Sequence, residues 1–440
     1  MKKVYVFVIF NLAFCIPTVV SAQQSVDTTV TLRQCIAFAL RNQPAVRQSE
    51  IDQQVNEHDI RIGLSAWLPQ VTSSGEYLHY FKGSPIQSTN PTVMSGIDEY
   101  SSLGLQASQV IYNNDVLLAA KTAKYSRQYY KQNTLSSQIN VVSDVSKAFF
   151  DVLLSQKQLD ILNQDITRLQ RSLKDAYNKY QAGTVDKTDY KRATIALNNS
   201  IGTRKQTEEA IKSKTAYLKQ VMGLDARTHV TLTYDSTKYT TETNIDTNQR
   251  LDYNNRIEYQ LLQTQKTLVD LNVRYYKWGF LPSLSAVGSY DLIYLNTHFS
   301  GLYDNSHPSL YAGLTLSLPI FTGTKRLQNL SKARLQVDRS DLDIVNVKNT
   351  INTEYVEALG SYKSNFVNWQ LLDQNVSLAK DVYKVESLQY REGIKTYLDI
   401  IVAQSDLRTA ELNYYNALFQ LLSSKIDLEK ALGILTVQAN

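Results

Sequence analysis

The sequence predicts an α+β membrane protein in which four membrane-crossing strands per chain run into very long polar helices, the whole unit being present twice. Three observations predict it: an internal duplication, two pairs of segments that alternate apolar and polar residues, and two long proline-free runs with helical periodicity. No apolar run beyond the first 22 residues approaches the 18 or so residues of a membrane helix, so a chain of this kind crosses a bilayer as strands.

At the amino end, Lys2 and Lys3, the apolar stretch Val4 to Phe14 and the small residues Val20, Ser21 and Ala22 read as an export signal over residues 1–22. A lipoprotein signal would place a small residue before Cys15, where Phe14 stands. Cleavage leaves Cys35 as the single cysteine, so no intrachain disulfide is expected and stability must come from packing. Without Lys2 and Lys3 the 46 basic residues fall to 44 against 41 acidic ones, a balance that argues against nucleic-acid binding.

The duplication divides the chain into a first repeat (23–223), a linker (224–249) and a second repeat (250–440). ALRNQPAV (Ala39 to Val46) has its counterpart in LDYNNRIEY (Leu251 to Tyr259), and WLPQVTSSGEY (Trp67 to Tyr77) recurs 213 positions later as FLPSLSAVGSY (Phe280 to Tyr290). LGLQASQVIYN (Leu103 to Asn113) returns after 209 positions as AGLTLSLPIFT, and KYQAGTVDKTDY (Lys179 to Tyr190) after 210 as QYREGIKTYLDI (Gln389 to Ile400). Four matches in one order at nearly one offset identify a repeat.

Each repeat opens with a helix, expected over Thr31 to Ala66 and Arg250 to Gly279, and continues into a strand pair. The strands are expected at about Gln70 to Tyr80, Ser101 to Tyr112, Ser283 to Tyr294 and Ser309 to Leu318. In the last, Leu310, Ala312, Leu314, Leu316 and Leu318 alternate with Ser309, Tyr311, Gly313, Thr315 and Ser317, which suits lipid on one face and water on the other. Tyr77, Tyr80, Tyr112, Tyr294, Phe299 and Phe321 near the strand ends would sit at the interfaces with outer-membrane lipid. A soluble sandwich with one buried face would show the same strand pattern. The loops at about Phe81 to Glu99 and Asn296 to Pro308 would face outward.

The helices weigh against the sandwich. Asp115 to Tyr180 and Thr324 to Tyr390 each read as one helix of roughly 66 residues, or about 100 Å at 1.5 Å per residue. Tyr355, Leu359, Tyr362, Phe366, Trp369, Leu372, Val376, Ala379 and Tyr383 recur at threes and fours as a coiled-coil seam. Helices at Thr188 to Met222 and Thr396 to Leu432, stacked on those before the strands, would match that length. His229 to Tyr234, inside the linker, reads as a small side structure.

Four strands cannot close a barrel, and open edges in lipid cost several kcal/mol per unpaired group. Two chains would give eight strands with a filled interior, whereas three give twelve and leave a lumen, so a homotrimer is expected.

In this order of helix, strand pair and helices, in the paired motifs ALRNQPAV and NNRIEY, LPQVTSSGEY and LPSLSAVGSY, in the two turns and in the closing DLEKALGIL (Asp427 to Leu435), the chain resembles the TolC family of outer-membrane efflux proteins. The resemblance implies a trimeric tube, a 12-stranded β-barrel continuous with a long periplasmic α-helical barrel. It implies a tip closed until a periplasmic adaptor (membrane fusion) protein and an inner-membrane transporter of the RND or ABC type engage it. The family's closing links join an aspartate of the first turn to a tyrosine and an arginine of the second, and these match Asp189, Tyr390 and Lys395. With lysine for arginine, a bidentate link is lost. A lumen-facing aspartate pair matches Asp399 and Val402, so only Asp399 remains to form an acidic ring around the axis. Gly183, Thr184, Gly393 and Ile394 match the surface on which the adaptor docks, although the glycines equally suit plain helix ends.

Chemistry of other kinds has no footing. His58, His79, His229, His298 and His307 are scattered without metal-ligand spacing, and phosphate-binding and nucleophile-elbow motifs are missing, so neither a cofactor nor catalysis is expected. The remaining alternatives are a conduit for ATP-driven polypeptide secretion and a periplasmic coiled-coil scaffold without a pore.

Overall fold

A computed structural model describes residues 29–82, 97–233 and 243–437. The expected signal segment and most of the first outward loop lie outside the described residues. Among the described residues, apart from two 3-10 turns, thirteen elements build the fold: β1 (Thr29–Val30), α1 (Leu32–Asn42), α2 (Pro44–Ser65), β2 (Gln70–His79), β3 (Glu99–Tyr112), α3 (Asn114–Gln181), α4 (Lys187–Met222), β4 (Thr231–Leu232), α5 (Ile257–Trp278), β5 (Ser283–Asn296), β6 (Ser306–Ser317), α6 (Lys325–Arg391) and α7 (Tyr397–Leu432).

The four long strands form one antiparallel sheet in the order β2-β3-β5-β6. Its register sorts the two faces as alternation requires. Ser73, Leu105, Tyr290 and Leu310 lie in one cross-strand row and Ala107, Gly288 and Ala312 in the next on the same side. On the opposite side, Ser74, Gly104, Asp291 and Ser309 form one row and Thr72, Gln106, Ser289 and Tyr311 another. The apolar face is uncovered, with Leu310, Leu314 and Leu316 all exposed, and β2 and β6 leave the two outer edges unpaired within the chain.

Each strand continues a helical column. α2 leads into β2, β3 into α3, α5 into β5 and β6 into α6, so four strands map onto four columns. α3, with 68 residues, spans about 100 Å by itself and packs against α2 and α5 near the sheet and α4 and α7 beyond them. α6, with 67 residues, packs against α5 and α7. The nine seam residues of α6 named above are all buried or half-buried. Tyr362 carries the seam furthest, packing with Leu421, Leu428 and Leu432 of α7 while its hydroxyl donates to the Thr243 carbonyl at 2.8 Å.

The shorter helices do stack. α4 ends at Gly223 (φ +70°), whose Cα faces the Asn42 carbonyl so closely that a Cβ would lie 2.7 Å from it. α7 ends the same way at Gly433 (φ +73°) on the Asn255 carbonyl, with 2.5 Å for the same contact. Glycine is required at both joints by backbone sign and by space. At the first joint lies the main apolar core, where Cys35, Ala39, Val46, Val145, Phe149, Leu153, Leu218 and Leu418 bring α1, α2, α3, α4 and α7 together. Burial there pushes the Cys35 thiol up to about 12. β1 and β4 pair in parallel beside this core; of the side structure expected over His229 to Tyr234, Thr231–Leu232 forms a strand, and Tyr234 lies outside the described residues.

Three expected boundaries are corrected. The helix expected over Thr31 to Ala66 breaks at Gln43, which is extended (φ −64°, ψ 123°) because Pro44 follows and disfavours helical backbone before it. Gln43 instead caps α2, accepting from the Ala45 amide at 2.6 Å. The helix expected from Arg250 starts at Ile257, since the Asp252 carboxylate accepts from the Asn254 amide and opens a 3-10 turn first. β5 extends to Asn296 and β6 begins at Ser306, so the loop expected over Asn296 to Pro308 is shorter.

Replacing Gly433 by Ala should lower the apparent Tm of the solubilised protein more than replacing Gly183. Both changes meet the left-handed backbone penalty of about 1–2 kcal/mol, but only position 433 adds a collision with Asn255, whereas position 183 has open space around it. Thermal unfolding of the two variants side by side measures the difference.

Candidate functional site

The end of the molecule farthest from the sheet is built by two turns of the same design. After α3, the Gly183 amide donates to the Tyr180 carbonyl (2.9 Å) and the Thr184 amide to that of Lys179 (3.0 Å). After α6, Gly393 donates to Tyr390 (3.2 Å) and Ile394 to Gln389 (2.9 Å). Both glycines have positive φ, which closes a Schellman-type end. The next helices are then capped differently. Asp186 accepts from the Thr188 amide (3.1 Å) at the start of α4. Thr396 and Asp399 form a reciprocal capping box at the start of α7, with the Asp399 carboxylate accepting from the Thr396 hydroxyl (2.7 Å) and amide (2.9 Å). Those bonds, the hydroxyl first, and then Lys395 nearby hold the Asp399 carboxyl below its usual range.

The turns bring every sequence-predicted site residue to this tip. Gly183, Thr184, Gly393 and Ile394 are all exposed, Ile394 at 71%. Tyr390 is buried at the end of α6 among Ala176, Ala193, Tyr397 and Ile400. Burial, then the negative charge of Asp189 and of Asp175, pushes its phenol upward. Asp189 is therefore close enough to be felt. Yet the Tyr390 hydroxyl has no hydrogen-bond partner among the described residues, and neither does that of Tyr397, whose ring meets Tyr390 edge-on at 6.0 Å. Lys395 turns instead to Glu386, with Nζ 3.3 Å from Oε1. Asp189, Tyr390 and Lys395 thus share one neighbourhood without a described hydrogen bond among them. Asp399 is half-buried and Val402 exposed.

Two features escaped the sequence. Lys179 Nζ lies 3.9 Å above the centre of the Tyr390 ring and donates to the Tyr390 carbonyl at 3.3 Å. Sixteen residues before the end of α3, Asp165 is 1% exposed and gathers three helices. It accepts from Ser200 of α4 (2.9 Å) and from Gln404 (3.1 Å) and Arg408 (3.1 Å) of α7. Arg168 stands 3.9 Å from Asp165 and 3.7 Å from Glu411, its Nε and Nη2 buried without a hydrogen bond among the described residues. The only sequence signal for either feature is a break in the repeat: Lys179 faces Gln389 in the alignment of the two turns. No grouping of His, Cys, Asp and Glu suited to a metal ion occurs among the described residues. Nor is any described helix long and apolar enough to cross a membrane.

Comparison with known proteins agrees with this architecture. The family described as "Outer membrane efflux protein" matches residues 36–224 and 258–434. The "Outer membrane protein TolC" of Vibrio cholerae serotype O1 is 20% identical over 381 residues, covering 85% of this chain and 84% of that protein. The "Toluene efflux pump outer membrane protein TtgF" of Pseudomonas putida is 24% identical over 424 residues, covering 91% and 83%. Among solved structures, the outer membrane protein VceC of Vibrio cholerae superposes with a TM-score of 0.73 at 15% identity, covering 91% of this chain and 96% of that one.

Asp165→Ala should destabilise the helical body by roughly 3 kcal/mol, because it leaves Arg408 without its buried carboxylate. Ser200→Ala should cost about 1 kcal/mol, and chemical denaturation of both variants checks the order. Acidification makes a second test. Since the folded Asp399 carboxyl titrates below its unfolded value, its capping contribution is complete above the unfolded pKa and fades as pH falls through the folded one. Protection of the first-turn amides of α7 against exchange, relative to the intrinsic rate at each pH, should fall over that interval, and Asp399→Asn should abolish that fall.

Proposed function

The chain belongs to the outer membrane efflux protein family, and from that premise we propose that three copies form a tube whose tip opens when a periplasmic adaptor docks on it. It is an outer-membrane channel subunit, lying in the outer membrane and extending into the periplasm. The observation that carries the assembly is the four-stranded sheet with one uncovered apolar face and two open edges. Pairing β6 of one copy with β2 of the next, three times over, leaves no edge in lipid and gives twelve strands around a lumen. Helical columns support the same closure. The side of α6 away from its seam exposes Leu335, Leu342, Val356, Val367, Leu371 and Leu378, an apolar stripe that a neighbouring copy would cover.

Within such a tube the small and polar strand face, carrying Ser74, Gln106, Ser289 and Asp291, lines the water-filled passage. At the far end, twelve columns converge on the tips, where Asp189, Tyr390 and Lys395 form the periplasmic gate and three copies of Asp399 a ring that favours cations. Exposed Thr184 and Ile394, with Gly183 and Gly393 behind them, supply the docking surface for the adaptor. The cargo of this reading is small molecules handed over by a proton-driven inner-membrane pump of the RND type; an ATP-driven exporter is the competing source.

Photo-crosslinking from Thr184 and Ile394 in the native cell, followed by mass spectrometry, should capture an adaptor encoded beside a proton-driven pump. Capture of an adaptor paired with an ATP-driven exporter would transfer the channel to polypeptide secretion. With the channel correctly exported and both probes reactive, failure to capture any adaptor would remove the docking role from the tip. For the assembly, Leu371→Glu combined with Leu378→Glu should reduce the oligomer in detergent to monomers by size exclusion.

A further inference from the structure

We infer that Lys179, more than Lys395, is the cation that holds the tip shut, and that it grips Tyr390 by its ring and main-chain carbonyl instead of its hydroxyl. The inference rests on the gate proposed above and names the contact that closes it.

Geometry separates the two lysines. Lys395 is engaged with Glu386, 3.3 Å away, on the α6 side of its own turn. Lys179, at the end of α3, reaches Tyr390, at the end of α6, with Nζ 3.9 Å above the ring centre. For comparison, the Arg326 guanidinium stands 4.8 Å from the Phe280 ring centre. The same ammonium donates to the Tyr390 carbonyl at 3.3 Å. That oxygen also accepts from the Gly393 amide, so the lysine seizes one of the main-chain acceptors on which the second turn is built.

Position makes this contact a latch. Along the body α7 packs against both α3 and α6 and lies between them, whereas at the tip Lys179 crosses directly from α3 to α6. Tyr390 cannot turn away, because it is 5% exposed and its ring rests on that of Tyr397. Its hydroxyl contributes no described hydrogen bond, so a link through that oxygen is not what holds it. The latch is also one-sided. Tyr180 occupies the matching place in the first turn, but the residue aligned with Lys179 is the neutral Gln389, so no second cation returns the contact. Drawing the end of α6 away from α3 would strip the ammonium from an aromatic face and return it to water, which is the step that docking must drive.

Single-channel conductance of the full-length protein in planar bilayers tests the latch. Lys179→Met and Tyr390→Leu should each raise the conductance of the undocked channel at least about threefold and Lys179→Arg should leave it within about twofold, while Tyr390→Phe and Lys395→Met should open it less than Lys179→Met does. A silent Lys179→Met beside an opening Tyr390→Leu would discard the latch and keep the gate. Opening by Tyr390→Phe or Lys395→Met as large as that of Lys179→Met would discard it too. If Lys179→Met, Tyr390→Leu and Asp189→Ala are all silent, the gate itself fails and the latch with it. Lys179→Cys offers a reversible form of the test on one folded protein, since Cys35 is fully buried and spared from reagent. Aminoethyl methanethiosulfonate, which restores an ammonium, should return the conductance of that variant to the parent value, whereas the neutral methyl reagent should not; equal effects of the two reagents would overturn the charge requirement.

Discussion

An unpaired peptide group in hydrocarbon costs several kcal/mol, and the sheet of this chain ends in two strands whose outer edges have no partner within it. The rest of the architecture is subordinate to that constraint. Four strands must be completed by copies of themselves, so each strand can serve as one stave of a closed wall. Because α2, α3, α5 and α6 each join a strand directly, the columns inherit the spacing and order of the staves. The helical wall therefore has the same symmetry as the barrel and needs no separate organising element. Its polarity follows from the same division of labour, since only the strands have to satisfy lipid and the helices remain free to be charged and water-facing.

Duplication supplies the columns economically, but two repeats of equal structure are not of equal chemistry. The joints at Gly223 and Gly433 are alike, each helix end seated on an asparagine carbonyl that precedes the next helix. Beside them the repeats part. Gln43 caps α2 with its own amide, whereas its counterpart Arg256 is 3% exposed and reaches Glu258, Glu354 and the Ala431 carbonyl, tying α5, α6 and α7 at one point. At the tip, Asp189 and Asp399 occupy aligned places, yet only Asp399 is spent on a capping box. Sequence differences between positions that the fold makes equivalent are where this chain departs from a plain scaffold.

What could be read beforehand follows from the range of the forces involved. Strand alternation, the seam from Tyr355 to Tyr383 and the two proline-free helices are local periodicities, and each lies where the sequence placed it. The break at Gln43 is equally local, signalled by Pro44. The site was legible as a neighbourhood and not as a set of bonds. Asp189, Tyr390, Lys395 and Asp399 do meet at one end, but which cation finds which partner depends on side chains from α3, α6 and the second turn arriving together. Asp165 is the extreme case. Its partners lie 35, 239 and 243 positions away on two other helices, and nothing in its own surroundings marks it as buried.

Stability is graded along the tube, and the grade points toward the tip. At the first stacked joint five helices share a core of Phe, Leu, Val and Ala that excludes water completely at several positions. Polar contacts between α3 and α7 run from Asn140 to Lys430 and Lys147 to Asp427 beside that core, through Gln158 to Asn416, to Asp165. Hydrogen bonds of this kind exchange readily with water and contribute only about 1 kcal/mol each. At the end itself the buried cluster is small, and it encloses the hydroxyls of Tyr390 and Tyr397 without described partners. Desolvating such a group costs roughly 1–3 kcal/mol, a penalty that separation of the helices relieves by admitting water. A wall built this way resists parting most at the stacked joint and least at the tip, so the proposed gate lies in the part of the structure that yields first.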